Sequence, residues 1–275
     1  MSVALPLRNV DIGLDSFIAI MSSRKTGKSY LIGNLIQILL SKGIDFMYLF
    51  SNTAKVNPKT NEQYRFIDPS AIFDASPETI ETVMSGLLFS QKKTDMKHKI
   101  LVILDDLILS RHYEKVEQMA SMGRHYSITV ILSTQITNHV VSPTVRANIS
   151  YLFFKKISPE AIRDNVFSIV SPKIPDFATW RELKDFTYRH NTDHNFIFFD
   201  NDTSKKEGMD LLKIVRAEPI DENYKYIVKN LTADRQEEKD RRAKRINRLA
   251  GHAVALDSYM DDWSLLKQNP SFGTW

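Results

Sequence analysis

A phosphate-binding loop is the first chemistry that the sequence suggests. The segment SSRKTGKS, residues 22–29, follows a strand-length apolar run and precedes a helical pattern. In that context backbone N–H groups surround phosphates, a lysine reaches the β and γ oxygens, and a hydroxyl coordinates Mg²⁺. The segment therefore predicts a site for ATP and Mg²⁺, with Lys28 and Ser29 in these two roles. The nucleotide-binding residues predicted are Ser22, Ser23, Arg24, Lys25, Thr26, Gly27, Lys28 and Ser29.

One position departs from the usual loop pattern, G-x-x-x-x-G-K-[ST]. Ser22 stands where the first glycine normally lies. A bare G-K-[ST] arises by chance in roughly one of ten chains of this length. The alternative is an ordinary surface turn, so the neighbouring motifs must show whether this segment binds phosphate.

The second component is an apolar strand that ends in two carboxylates. The segment KILVILDD, residues 99–106, has this form. We expect Asp105 to hold the hydration shell of Mg²⁺ and Asp106 to polarise the attacking water as a general base. The alternative is a strand that runs into an ordinary acidic turn.

A third apolar run, ITVILSTQ at residues 128–135, ends in polar residues. Gln135 is expected beside the acidic strand, where it would sense the γ-phosphate or orient the water. Three such components in this order predict a P-loop ATPase that hydrolyses its nucleotide. An extra strand between the phosphate-loop motif and the acidic-strand motif, here residues 46–50, is typical of the ASCE division of that class.

Two arginines flank the third run. Arg124 lies just before it and Arg146 just after it. Each is a candidate arginine finger, which stabilises charge on the transferred phosphoryl group and in ring ATPases reaches a neighbouring subunit's site. A surface salt bridge is the alternative for both. His190 and His194 are spaced i,i+4 but lack a third metal ligand, so we expect an ordinary polar surface there.

Strand-length apolar runs alternate with helical patterns along the chain. The runs are apolar at nearly every position, as in strands that helices cover on both faces. The pattern predicts an α/β fold with a mostly parallel central sheet. Helices are expected after the phosphate loop and after Ser76 and Ser158, each of which is followed by proline. A polar surface loop is expected over residues 52–63. The predicted strands are residues 17–21, 46–50, 100–104, 129–132, 151–154 and 196–199.

Composition narrows the function classes. The 275 residues are 43% hydrophobic and 25% charged, as in a globular protein with a packed core. No apolar stretch has the length of a membrane span, no secretory signal is apparent, and the absence of cysteine fits a reducing compartment. The formal net charge of +4 permits an acidic partner such as DNA.

The chain is expected to divide near residue 220. Residues 1–220 form the predicted ATPase core, and residues 221–275 form a charged, mainly helical appendage. Within it, residues 232–248 hold many lysines and arginines, so this helix is a candidate DNA contact, as are Lys55 and Lys59 in the loop at 52–63. A solvated helix face is the alternative.

These residues resemble the genome-packaging ATPases of nucleocytoplasmic large DNA viruses, the poxvirus-type branch of the FtsK/HerA superfamily. Beyond the loop and the acidic strand, the resemblance lies in residues 123–125 before the third run and residues 146–149 before a Phe-rich strand. It extends over about residues 15 to 202. Two departures are Ser22, for the first glycine, and Asp106, where many members have glutamate.

The resemblance implies a RecA-like three-layer core and a homo-oligomeric ring, a pentamer or hexamer. It also implies ATP-driven translocation of double-stranded DNA into a viral capsid, with capsid or portal-vertex proteins as partners, in the virus factory of the host cytoplasm or in the virion. Two alternatives stay open. One is an ATP-dependent switch or assembly scaffold, and the other is a helicase or DNA pump of the same superfamily.

Overall fold

The computed structural model describes most of the first 219 residues. The described residues are 4–23, 25–56, 64, 67–68, 71–105, 107, 114–135, 141–155, 157, 160–190, 192, 194–202 and 206–219. The predicted appendage at 221–275 lies outside them, so the division near residue 220 stays a prediction.

Nine strands and seven α-helices are present in the described residues, and their order alternates along most of the chain. They are β1 Leu5–Pro6, β2 Phe17–Ser22, α1 Lys28–Ser41, β3 Phe46–Phe50, α2 Asn52–Val56, β4 Ile72–Phe73, α3 Pro77–Lys93, β5 Ile100–Asp105, α4 Glu114–Met122, β6 Ile128–Thr134, α5 Pro143–Asn148, β7 Tyr151–Lys155, α6 Glu160–Val170, α7 Trp180–Arg189, β8 Asn195–Asp200 and β9 Leu212–Arg216.

The strands form a single sheet in the order β1-β9-β8-β7-β2-β6-β5-β3-β4. All pairings are parallel except those of β8 with β7 and with β9. The phosphate-loop strand β2 lies at the centre, between β6 and β7. The predicted mostly parallel α/β sheet is therefore confirmed.

Helices cover both faces of the sheet, which gives three layers. One hydrophobic cluster joins α1 to one face through residues such as Leu31, Leu35 and Leu39. A second cluster joins α3, α4, α5, α6 and α7 to the other face. Since successive side chains of a strand point to opposite faces, strands buried on both faces must be apolar throughout. This explains why β2, β5 and β6 are so uniformly apolar.

The helix ends follow the capping rules that the sequence suggested. Ser76 precedes α3, and its hydroxyl accepts a hydrogen bond of 3.2 Å from the Thr79 N–H. Pro77 occupies the first helical position, where no N–H is needed. Beyond α1, Gly43 has a φ of +92°, a left-handed conformation that glycine adopts without strain.

Two expectations need correction. Residues 52–56 were expected in a surface loop but form the short helix α2, because Ala54 is buried and the Ser51 hydroxyl accepts from its N–H. Phe46–Phe50 was taken as the strand inserted between the two nucleotide-binding motifs. In the sheet, β6 lies between β2 and β5, while β3 lies beyond β5. Among the described helices, none is long and apolar enough to cross a membrane.

Candidate active site

The phosphate loop joins β2 to α1 at the carboxyl edge of the sheet. β2 ends at Ser22, and α1 begins at Lys28. Gly27 has a φ of +91° and Lys25 a φ of +57°, both left-handed. A β-carbon at Gly27 would be strained, so glycine is required before the helix. Arg24, the remaining predicted loop residue, lies outside the described residues.

Ser22 has a structural role in the loop that a glycine could not fill. Its hydroxyl lies 2.9 Å from the hydroxyl of Thr26, and both residues are buried. The Thr26 hydroxyl also donates to the Ser23 carbonyl at 2.9 Å. These bonds close the loop across its own chain, which satisfies polar groups that burial would otherwise leave unpaired. The departure from the usual glycine is therefore compatible with a formed loop.

The first turn of α1 presents the groups that bind anions. Lys28 is half-buried and Ser29 is exposed. The turn contains no acidic residue. The first N–H groups of a helix lack partners within it and carry a partial positive charge. This end of α1 thus suits a phosphate chain.

The acidic strand reaches the same edge two strands away. β5 ends at Asp105, which pairs in register with Ser133 of β6. On the other side of β6, Thr134 pairs with Met21 of β2. Gln135 follows directly and is half-buried. β6 therefore ends between the phosphate loop and Asp105, as predicted for Gln135; Asp106 lies outside the described residues.

Tyr64 is a site residue that the sequence analysis missed. Its hydroxyl donates a short hydrogen bond to the Asp105 carboxylate, and the side chain is 2% exposed. Tyr64 packs in the cluster of the α1-covered face, which shows that Asp105 points to the same face as α1. One aromatic residue directly after a long polar stretch was the only signal in the sequence.

A buried hydroxyl lies next to Asp105. Ser133 is fully buried, and its Oγ has no hydrogen-bond partner among the described residues. An unpaired buried hydroxyl is uncommon and calls for an explanation such as a ligand or water. Its position in register with Asp105 makes this part of the sheet edge suited to a hydrated cation.

Two further residues on the opposite side of β2 were also missed. His194 precedes β8, and its Nδ1 would lie 3.0 Å from a β-carbon at Gly27. His194 is exposed, as expected for a polar surface, but it also lies beside the phosphate loop. Lys155 ends β7 in register with Ser22 and is 6% exposed, with its ammonium 5.6 Å from the Phe196 ring centre. Nothing in local sequence spacing brings these residues to the loop.

The two candidate arginine fingers lie away from this edge. Arg124 is exposed in a short turn of 3₁₀-helix just before β6 begins. Arg146 lies in α5, shortly before β7 begins, and its guanidinium donates to Asn165 at 2.8 Å. The starts of β6 and β7 are at the amino edge, roughly 20 Å from the carboxyl edge at about 3.3 Å per residue. Neither arginine is therefore brought to the site of its own chain.

The other predicted contacts cannot be placed. Lys59 and residues 232–248 lie outside the described residues, and the side chain of Lys55 does too. Within the described residues, no group of three or more His, Asp or Glu side chains is arranged to hold a metal ion.

The sequence places this chain in a known family. Residues 14–173 match the family described as Poxvirus A32 protein, and that span is more than half of the 275 residues. The chain belongs to the poxvirus A32 protein family. The match includes the phosphate loop, Asp105 and Gln135, and it ends before α7 and β8, short of residue 202. No curated protein sequence matches the chain.

Solved structures share the fold of this poxvirus A32 family member. The DNA-packaging ATPase B204 from Sulfolobus turreted icosahedral virus is 16% identical with a TM-score of 0.54, over 76% of this chain and 100% of B204. The packaging NTPase B204 of Sulfolobus turreted icosahedral virus 2, with ATP-gammaS, is 17% identical with a TM-score of 0.53, over 76% of this chain and all of that one. The pCW3 conjugation coupling protein TcpA, also with ATPgS, is 11% identical with a TM-score of 0.53, over 78% of this chain and 63% of TcpA.

Family membership confirms the resemblance drawn from the sequence. The poxvirus A32 proteins are viral genome-packaging ATPases, and the chain is a P-loop ATPase of that type. The shared fold confirms the predicted architecture. The roles of individual residues remain predictions, which the geometry above makes specific.

Proposed function

We propose that this chain is an ATP-hydrolysing motor that translocates double-stranded DNA into a viral capsid. The observation that carries the proposal is the convergence of the phosphate loop, Asp105 and Gln135 at one edge of the sheet, in a member of a packaging-ATPase family. ATP is the substrate, and its hydrolysis supplies the free energy for DNA movement.

Each proposed site residue has a distinct task in hydrolysis. The N–H groups of the loop and of the first turn of α1 bind the phosphates, and Lys28 contacts the β and γ oxygens. Asp106 takes the proton of the attacking water as a general base, and Gln135 orients that water against the γ-phosphate. The water oxygen forms a bond to the γ-phosphorus while the bond between that phosphorus and the β,γ-bridging oxygen breaks, which releases ADP and inorganic phosphate.

Mg²⁺ fits the oxygen atoms at this edge. Ser29 and Asp105 are its proposed protein ligands. The Asp105 carboxylate, which accepts a hydrogen bond from Tyr64, and the Ser133 hydroxyl in register with it are hard oxygen groups. Mg²⁺ prefers one or two such ligands together with substrate phosphates and water, and so needs no larger acidic cluster. When bound, it neutralises charge on the phosphate oxygens.

The proposed assembly is a homomeric ring of five or six subunits. The amino-edge positions of Arg124 and Arg146 support a role in a neighbouring subunit's site rather than in their own. Arg124 is the better candidate, because it is exposed whereas Arg146 is bonded to Asn165. Capsid or portal-vertex proteins are proposed as further partners, in the virus factory of the host cytoplasm or in the virion.

We propose that basic side chains of the protein bind DNA through its phosphates. The candidate groups are Lys55, Lys59 and the basic segment 232–248. Replacing the cluster Arg241, Arg242, Lys244 and Arg245 should weaken binding equally for all sequences. The slope of log affinity against log salt should flatten by roughly 0.9 per lost phosphate contact. An unchanged slope would assign the segment to a solvated face or a protein contact.

The rate of ATP hydrolysis with and without long double-stranded DNA tests the proposal, when measured together with the mass of the oligomer. A motor is expected to hydrolyse ATP faster on DNA and to form a ring. A rate of ATP hydrolysis that does not change on adding DNA would favour the switch or assembly scaffold. Separation of the two strands by the protein would instead identify a helicase.

A further inference from the structure

Two aromatic rings lie together beside the phosphate loop. Tyr30 is in the first turn of α1 and is 45% exposed. His194, just before β8, is also exposed. Their ring centres are 5.3 Å apart with an interplanar angle of 68°, an edge-to-face contact.

This aromatic pair is in contact with the loop itself. The His194 ring lies against Gly27, where an added β-carbon would meet its Nδ1 at 3.0 Å and the edge of Phe196 at 3.9 Å. His194 therefore lies between the loop glycine and Tyr30. Any molecule whose phosphates occupy the loop will have its next atoms near these rings.

The order of the strands decides which end of a bound nucleotide lies near the two rings. β6 and β5, with Gln135 and Asp105, lie on one side of β2, and β7 and β8 lie on the other. The γ-phosphate must face Asp105 and Gln135 for hydrolysis. The phosphate chain is linear, so the nucleoside leaves the loop on the side of β7 and β8, where Tyr30 and His194 lie.

We infer that Tyr30 and His194 form the nucleoside subsite of the ATP site, with their rings in contact with the purine base. The inference rests on the proposed function, because it assumes that ATP binds at the loop. Exposed aromatic rings are suited to a base, since each base has a flat face that stacks on them, and this contact tolerates different bases. The phosphates bind through the loop, and the pair discriminates a nucleotide from a bare phosphate chain.

The contribution of the subsite to binding is measured by comparing the dissociation constants of ATP and of inorganic tripolyphosphate. Tripolyphosphate has the phosphate chain without the nucleoside. For Tyr30→Ala and His194→Ala, we expect the dissociation constant of Mg-ATP to rise by roughly 5- to 100-fold, the worth of one base–aromatic stack, while that of Mg-tripolyphosphate stays unchanged. Tyr30→Phe keeps the ring and should bind both ligands as the wild type does. Normal tripolyphosphate binding also shows that each variant is folded.

His98 provides a matched control for the aromatic contact. It makes the same edge-to-face contact with Phe46, at 5.2 Å, but lies just before β5 at the amino edge. His98→Ala should bind both ligands normally. A variant of Tyr30 or His194 that binds ATP normally, or that weakens both ligands equally, would overturn the subsite while leaving the proposed function intact. A wild type that binds neither ligand would overturn the proposed function and the subsite with it.

Discussion

The two edges of the central sheet use their polar side chains differently. At the amino edge, the Ser150 hydroxyl accepts from the Phe17 N–H at 3.3 Å, and the Tyr151 hydroxyl accepts from the Gly13 N–H at 3.0 Å. These bonds satisfy backbone groups where strands begin. At the carboxyl edge, the Ser22 hydroxyl closes the phosphate loop, and the Tyr64 hydroxyl binds a carboxylate. The same side-chain types therefore complete the fold at one edge and arrange a site at the other.

The comparison separates residues that lie close enough to act in the proposed site of their own chain from residues that would have to act in a neighbour's. At the carboxyl edge, Asp105 and the phosphate loop lie on either side of β6, where the proposed site is formed within one chain. Arg124 is roughly 20 Å away along the strands, beyond the reach of any side chain. If it acts in hydrolysis, it must do so across a subunit boundary.

The largest expected effect is the loss of Arg124. An arginine finger typically contributes a factor of about 10³ to 10⁵ in rate, so rings of Arg124→Ala should be nearly inactive. Rings of Lys28→Ala should be inactive for a different reason, because their own loop is disabled. Mixing the two with verified subunit exchange pairs intact loops with intact arginines at some interfaces, and hydrolysis should return there.

The outcome of mixing distinguishes the two arginines. If Arg146→Ala complements Lys28→Ala and Arg124→Ala does not, then the finger is Arg146 despite its bond to Asn165. If neither complements, the site is complete within one subunit, and the proposal that an amino-edge arginine acts in a neighbour's site is wrong.

The next effect separates binding from chemistry at the carboxyl edge. Asp106→Asn should lower the hydrolysis rate by roughly 10²- to 10⁴-fold, the worth of a general base, while Mg-ATP binds nearly normally. Lys28→Ala should lose both binding and hydrolysis. Equilibrium binding of a fluorescent ATP analogue, measured beside the hydrolysis rate, distinguishes them. Equal loss of nucleotide binding in both variants would contradict these assignments.

A smaller effect is expected from the hydroxyl that holds Asp105. Tyr64→Phe keeps the buried ring but removes the hydrogen bond. Groups that orient a metal ligand typically contribute 10- to 100-fold in metal affinity, so the Mg²⁺ concentration that half-saturates ATP binding should rise by roughly that factor. Tyr151→Phe is the matched control at the amino edge and should leave the Mg²⁺ dependence unchanged. If both variants bind Mg-ATP alike, Tyr64 has a packing role only.

The smallest effect tests the serine that replaces the usual glycine. Ser22→Ala leaves the Thr26 hydroxyl with one bond fewer, at a cost of about 1 kcal/mol for a buried hydrogen bond. The affinity for ATP should fall a few-fold, together with the free energy of unfolding. Ser150→Ala should lower stability by a similar amount, measured by urea denaturation, but leave ATP affinity intact. A loss of affinity in both would mean that the two edges are not independent.

Much of the sheet could be predicted from the sequence. All six strands predicted from apolar runs are present, because burial on both faces forces such runs. β1 and β4 have two residues each, and two of the five residues of β9 are the charged Lys213 and Arg216, so none gives that signal. The phosphate loop and Asp105 were predictable because their chemistry depends on local spacing.

Contacts between distant parts of the chain could not be predicted in this way. Tyr64 and Asp105 are 41 residues apart, and the position of Tyr64 depends on its burial against the α1-covered face. His194 reaches Gly27 only because β8 returns antiparallel beside β7. The strand inserted between β2 and β5 was likewise misassigned, because β3 and β6 both follow from apolar runs and only their pairing in the sheet distinguishes them.

The most direct test of the motor is movement along DNA without strand separation. A third strand, annealed as a triplex near one end of a long duplex, is removed by a protein that travels along the duplex. With ATP, the wild type should displace this strand, and Asp106→Asn, which is expected to bind ATP without hydrolysing it, should not. Displacement that requires hydrolysis and leaves the duplex intact is the predicted result. Active ATP hydrolysis with the third strand still in place would contradict the account and favour a nucleotide-dependent switch.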